Sequence, residues 1–114
     1  MLKIWFKSTC STCRKALAVL QDEGVDDIEM YEYLREKPTQ KDIREILKML
    51  GIKAFDLVRT KEELYQKKYA GKKLTNSEWV KILSQNPELI ERPIFIRDGK
   101  AIIGRPPQRV LELL

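Results

Sequence analysis

Histidine is absent from this chain. That removes the usual general base near neutral pH, the Cys–His nucleophile pair and the commonest metal ligand. Long apolar runs are absent too. None approaches the ~18–20 residues a helix needs to span a bilayer. The N-terminus lacks a basic region followed by an apolar stretch and a small-residue cleavage site, so no secretory leader is expected and the expected location is cytoplasmic. Cysteine is scarce, with Cys10 and Cys13 only. Two thiols separated by two residues close too short a loop to staple a domain. In a reducing compartment that spacing reads as redox, metal or nucleophile chemistry. Internal repeats, low-complexity tracts and flexible linkers are also missing.

What is present suits one domain over residues 1–114, with 43% hydrophobic and 34% charged residues. The net charge of +5 favours anionic partners mildly. Acids are interleaved with the lysines and arginines, so no direct nucleic-acid contact is expected. Residues 2–6 predict a buried strand and residues 11–23 a helix with Ala16, Leu17, Val19 and Leu20 inward, stopped by Gly24. Residues 28–34 alternate with period two and predict a second strand. Together these give a β-α-β unit, which normally carries parallel strands.

The middle of the chain, about 38–88, predicts an inserted helical subdomain. Thr39 is a plausible N-cap with Asp42 three residues on. Ile43, Ile46, Leu47 and Leu50 then share one helical face. Residues 61–69 predict a short charged helix and residues 76–85 another, with Trp79, Val80, Ile82 and Leu83 apolar. Residues 93–96 and 101–103 predict strands joined by an Asp98-Gly99 hairpin turn. Val110, Leu111 and Leu114 place a closing helix over 106–114. The fold class is therefore α/β, a βαβ…ββα mixed sheet with a helical insertion.

Three readings of the Cys10-Ser11-Thr12-Cys13 segment compete. The first is a pair of small buried residues. The second is half of a zinc site completed across a dimer, since zinc takes four Cys or His ligands. The third is a reactive thiol, which the strand–CxxC–helix context favours. A cysteine at a helix start meets unpaired backbone N–H groups, whose partial positive charge stabilises thiolate. Cys10 is the expected nucleophile and Cys13 a resolving thiol, with Arg14 and Lys15 adding positive charge nearby. Arg59, Arg92 and Arg105 each sit at the end of an element. Taken singly, each reads as a solvated surface arginine. Taken together beside a thiolate, their planar forks suit a tetrahedral oxyanion. No bound metal or cofactor is expected.

The chain resembles, over its full length, the arsenate reductase family of the thioredoxin-like fold, the glutaredoxin-linked type, and its Spx-type relatives. The residues that carry the likeness are Ser8-Thr9-Cys10-Ser11-Thr12-Cys13-Arg14-Lys15, Leu57-Val58-Arg59, the block from Asn86-Pro87 to Arg92-Pro93-Ile94, and Gly104-Arg105-Pro106. The resemblance implies that the Cys10 thiolate attacks arsenate or a similar oxyanion held by Arg59, Arg92 and Arg105. It also implies that glutathione with glutaredoxin, or thioredoxin, supplies the electrons. A cis Pro93 against the cysteine loop would fit a thioredoxin-type fold. The pattern departs at Cys13, where the glutathione-dependent enzymes carry serine. Spx-type regulators carry a cysteine there, use the pair as an oxidation switch, and bind the C-terminal domain of the RNA polymerase α-subunit. Arg105 is a feature of the reductases.

Overall fold

The computed structural model describes residues 2–7, 10–25, 27–105 and 107–114. Ser8, Thr9 and Pro106 of the motifs quoted above lie outside the described residues. The chain divides into two compact units, one running through Arg35 and resuming over Arg92–Leu114, the other Glu36–Glu91.

The first unit is built on a sheet of four strands: β1 (Leu2–Phe6), β2 (Ile28–Glu32), β3 (Ile94–Arg97) and β4 (Lys100–Ile103). Their order is β2-β1-β3-β4. β1 and β2 are parallel, from Leu2↔Ile28 to Phe6↔Glu32. β3 runs antiparallel to β1, and β4 antiparallel to β3. Alternation along β1 sends Leu2 and Ile4 to the face covered by helix α1 (Ser11–Asp22). There they join Ala16, Leu20, Phe95 and Val110 in one core cluster. Burying each large side chain of that cluster contributes about 1.5–3 kcal/mol. Trp5 points the other way and packs edge-on to Tyr31 (5.2 Å) and stacked with Tyr33 (6.1 Å). The hairpin turn has left-handed φ at both Asp98 (51°) and Gly99 (78°), as a type I′ turn demands.

The second unit is helical. In α2 (Gln40–Leu50), the Thr39 hydroxyl accepts from the Asp42 N–H at 3.1 Å, and the Asp42 carboxylate accepts from the Thr39 N–H at 2.9 Å. Thr75 and Glu78 repeat this capping box on α3 (Asn76–Gln85). The inward face of α2 is Ile43, Ile46 and Leu47, and that of α3 is Trp79, Val80 and Leu83. Two 3-10 turns, Ala54–Leu57 and Pro87–Leu89, lead into an antiparallel bridge between Val58 and Ile90.

Three predicted elements take a different form. β2 stops at Glu32 rather than Leu34, as its pairing with β1 ends at Phe6↔Glu32. The charged segment near residues 61–69 winds as a π-helix over Tyr65–Tyr69, closed by the Ala70 N–H on the Tyr65 carbonyl at 2.8 Å. Both tyrosine rings pack on Trp79, and Tyr65 also packs on Phe55. The closing segment, Pro107–Leu113, is a 3-10 helix rather than an α-helix. With three residues per turn, Val110 and Leu113 fall on the inward stripe, while Leu111 and Leu114 are exposed.

Gly104 fixes how β4 leaves the sheet. Its N–H donates to the Pro93 carbonyl at 2.8 Å. A Cβ there would lie 2.6 Å from the Phe95 ring and 3.1 Å from Pro93 Cγ. Gly104→Ala should therefore destabilise the protein by about 1–3 kcal/mol through overpacking. Chemical unfolding checks this: an unchanged midpoint would mean that the Phe95 ring gives way freely.

Candidate active site

β1 delivers the chain to the cysteine loop. The Cys10 N–H donates to the Lys7 carbonyl at 3.0 Å, and the Cys10 carbonyl accepts from the Arg14 N–H at 3.2 Å, opening α1. Cys10 is thus the N-cap, with extended backbone, and Cys13 is the third helical residue. Both thiols are free and buried, at 8% and 1% exposure. That placement makes Cys10 the one whose sulfur faces a helix start.

The two sulfurs titrate in opposite directions. Burial pushes the Cys10 thiol up, but the Cys13 N–H, the Cys13 thiol and Arg92 outweigh it, and the pKa is lowered to about 7. No side-chain capping hydrogen bond forms on α1, so the Cys13 amide acts mainly as a helix-end dipole. Arg92 acts both as a hydrogen-bond donor and as a charge. For Cys13, burial comes first and the neighbouring Cys10 adds to it, which carries the pKa up to about 11 despite the Lys7 amide. At neutral pH Cys10 is substantially thiolate and Cys13 is a neutral thiol that donates to it.

Arg92 precedes a cis peptide bond to Pro93 at the start of β3. Its own pKa is raised: burial opposes the charge, but Tyr33 and Cys10, which both accept from it, favour it. Arg92 Nε is buried without a hydrogen-bond acceptor. Arg105, just beyond β4, spreads its fork over three partners. Nε donates to the Arg92 carbonyl at 2.5 Å, Nη1 to the Thr12 hydroxyl at 3.3 Å and Nη2 to Cys10 Sγ at 3.8 Å. The sheet thus gathers Cys10, Cys13, Arg92 and Arg105.

Arg59 lies in the helical unit. Its N–H donates to the Leu89 carbonyl at 2.7 Å, and its Nε sits 3.7 Å from Glu62 and 3.9 Å from Glu91. Like that of Arg92, this Nε is buried without a hydrogen-bond acceptor. Arg14 is exposed, as is Lys15, so the cation that lowers the Cys10 pKa is Arg92, 82 residues from Cys10 along the chain, rather than these sequence neighbours. Thr12 and Tyr33 escaped the sequence reading. Thr12 could have been noticed as the hydroxyl inside the CxxC loop. Tyr33 looked like one more residue of an alternating strand. Among the described residues no three Cys, Asp or Glu side chains converge on a metal-sized site, and no helix is long and apolar enough to cross a membrane.

The ArsC family pattern matches residues 6–113 of the chain. An arsenate reductase from Haemophilus influenzae is 39% identical, over 97% of each chain. The solved arsenate reductase from Vibrio cholerae is 33% identical and superposes with a TM-score of 0.92, over 99% of this chain and 97% of that one. The global transcriptional regulator Spx of Streptococcus pneumoniae is a more distant relative, 28% identical over 91% of this chain and 78% of its own. The mixed sheet, the cysteine loop and this full-length likeness agree: the chain is a member of the ArsC family, with the thioredoxin-like fold of its arsenate reductases.

Proposed function

We propose that the protein is an arsenate reductase-type thiol oxidoreductase in which the Cys10 thiolate attacks an oxyanion held by Arg59, Arg92 and Arg105. The observation that carries this reading is the Cys10 thiolate beside two guanidinium groups, with Arg105 Nη2 3.8 Å from its sulfur. Such a cluster both keeps the sulfur deprotonated and attracts the substrate anion. The buried Nε donors of Arg92 and Arg59, which lack hydrogen-bond acceptors, are suited to substrate oxygens.

In the first step a Cys10 Sγ–As bond forms and one As–O bond breaks. The oxygen leaves as hydroxide, or as water once protonated, and arsenic stays pentavalent. Two electrons come from thiols in the second step. Along one route the glutathione thiolate bonds to arsenic and displaces a second hydroxide; a glutaredoxin thiolate then takes the glutathione sulfur as a mixed disulfide, leaving its electron pair on arsenic, and water displaces arsenic from Cys10. Along the other, the Cys13 thiol loses its proton and forms a disulfide with Cys10, which thioredoxin or glutaredoxin reduces. On either route arsenic gains two electrons and leaves as arsenite.

Cys13 supports a second reading, a redox-sensing regulator of the Spx type that binds the C-terminal domain of the RNA polymerase α-subunit and uses Cys10–Cys13 as its switch. The adjacent buried thiols favour it, and the Arg105 clamp on Cys10 favours the reductase. A pull-down under oxidising conditions that recovers no polymerase would remove it.

Arsenate-dependent NADPH consumption, coupled to glutathione with glutaredoxin or to thioredoxin with its reductase, is the direct assay. Turnover is expected with at least one system, and none with Cys10→Ser; silence with both sinks the reductase reading. Cys13→Ser should stop turnover only on the disulfide route. Arg105→Ala should lower kcat/KM by about 10²–10³-fold, as loss of one preorganised donor does. Alkylation of Cys10 by iodoacetamide should follow thiolate, rising with pH to a plateau with its midpoint at about 7. Arg92→Ala should move that midpoint upward by about 1 unit or more, since an adjacent opposite charge favours the charged form.

A further inference from the structure

The sheet brings Tyr33 to the same edge as the reactive sulfur. β1 and β2 are parallel and end as the pair Phe6↔Glu32. β3 is antiparallel, so its first residue, Ile94, pairs with Trp5 and also with Ile103 at the end of β4. Tyr33 directly follows β2, Cys10 follows β1, Arg92 precedes β3 and Arg105 follows β4. All four therefore collect at one edge. Tyr33 is fully buried, its ring stacked on Trp5 at 6.1 Å and 29°. A phenol oxygen so placed needs a partner. Arg92 supplies it, donating to both Tyr33 and Cys10.

We propose that Tyr33 is a positioning residue of this site, its buried phenol oxygen holding the Arg92 guanidinium against the Cys10 sulfur. An arginine side chain has many rotamers. With only a sulfur as acceptor, its charge would be spread over several of them. The second acceptor, on a fully buried side chain, leaves the guanidinium one place to be. Cys13 from α1 and Arg105 from beyond β4 also face the sulfur. Arg105 binds the carbonyl of Arg92 rather than its side chain, so it does not fix the guanidinium directly. The role concerns thiolate formation and not the oxyanion, so its failure would leave the arsenate reading standing.

Tyr33→Phe keeps the ring and removes the acceptor. The iodoacetamide midpoint of Cys10 should rise by about half a unit to one unit, with thermal unfolding showing a folded protein. In Arg92→Ala the same tyrosine change should add nothing, because the two residues act through one interaction. Trp5→Phe, which keeps the phenol, should leave the midpoint in place. An unmoved midpoint in Tyr33→Phe, additive shifts in the double variant, or an equal shift in Trp5→Phe would each overturn the proposal. The wild-type protein supplies a readout that needs no tyrosine substitution. With tyrosine labelled at the ζ-carbon, the Tyr33 resonance should follow the Cys10 titration and stop following it in Arg92→Ala; a flat resonance in the wild type rejects the coupling.

Discussion

Cys10 is nearly buried, and burial by itself would keep the proton on its sulfur. A thiolate in that position depends on groups that favour its charge: the Cys13 N–H and thiol, and then Arg92, which supplies both a hydrogen bond and a charge. Most of the site can be understood as what it takes to hold that guanidinium there. The Arg105 fork grips the Arg92 carbonyl and the Thr12 hydroxyl while approaching the sulfur. Tyr33 accepts from Arg92 as well.

The rest of the first unit serves this arrangement mechanically. A mixed sheet with β1 at its centre brings two strand ends, one strand start and the cysteine loop together. Gly104 permits a close approach between the β4 exit and the Phe95 ring, which sets where Arg105 begins. The core beneath, from Leu2 and Ile4 to Ala16, Leu20 and Val110, ties α1 to the strand before it. Packing thus carries precision from the core to the Cys10 sulfur.

The asymmetry of the two cysteines follows from this frame. They belong to one motif and lie on one turn, yet one pKa falls to about 7 and the other rises to about 11. Each reinforces the other: the Cys13 thiol donates to the Cys10 sulfur, and the Cys10 charge discourages a second charge beside it. Once Cys10 is bonded to another atom its charge is gone, and that part of the restraint on Cys13 goes with it. A thiol held back in this way suits the resolving role proposed for Cys13.

Much of this protein was legible from local chemistry. The apolar alternation of residues 2–6, the Thr39 and Asp42 capping pair, the Asp98-Gly99 turn and the strand–CxxC–helix junction act over a few residues, and each appears where the sequence placed it. The place of Cys10 at the helix start was legible for the same reason, since it depends only on where α1 begins. Local pattern failed where distant groups decide. Arg14 and Lys15 adjoin the motif, but helical geometry leaves them exposed. Tyr65 and Tyr69 pack on Trp79 from a π-turn, and the closing 3-10 helix turns Val110 and Leu113 toward the core, contacts with residues distant in the chain that no local pattern announces. The sequence by itself determined which sulfur stands at the helix start. Only the tertiary structure decided which arginine makes it a thiolate, because Coulomb attraction and hydrogen bonding act over a few ångströms of space, and Arg92, Arg105 and Tyr33 come within that range only when the sheet is assembled.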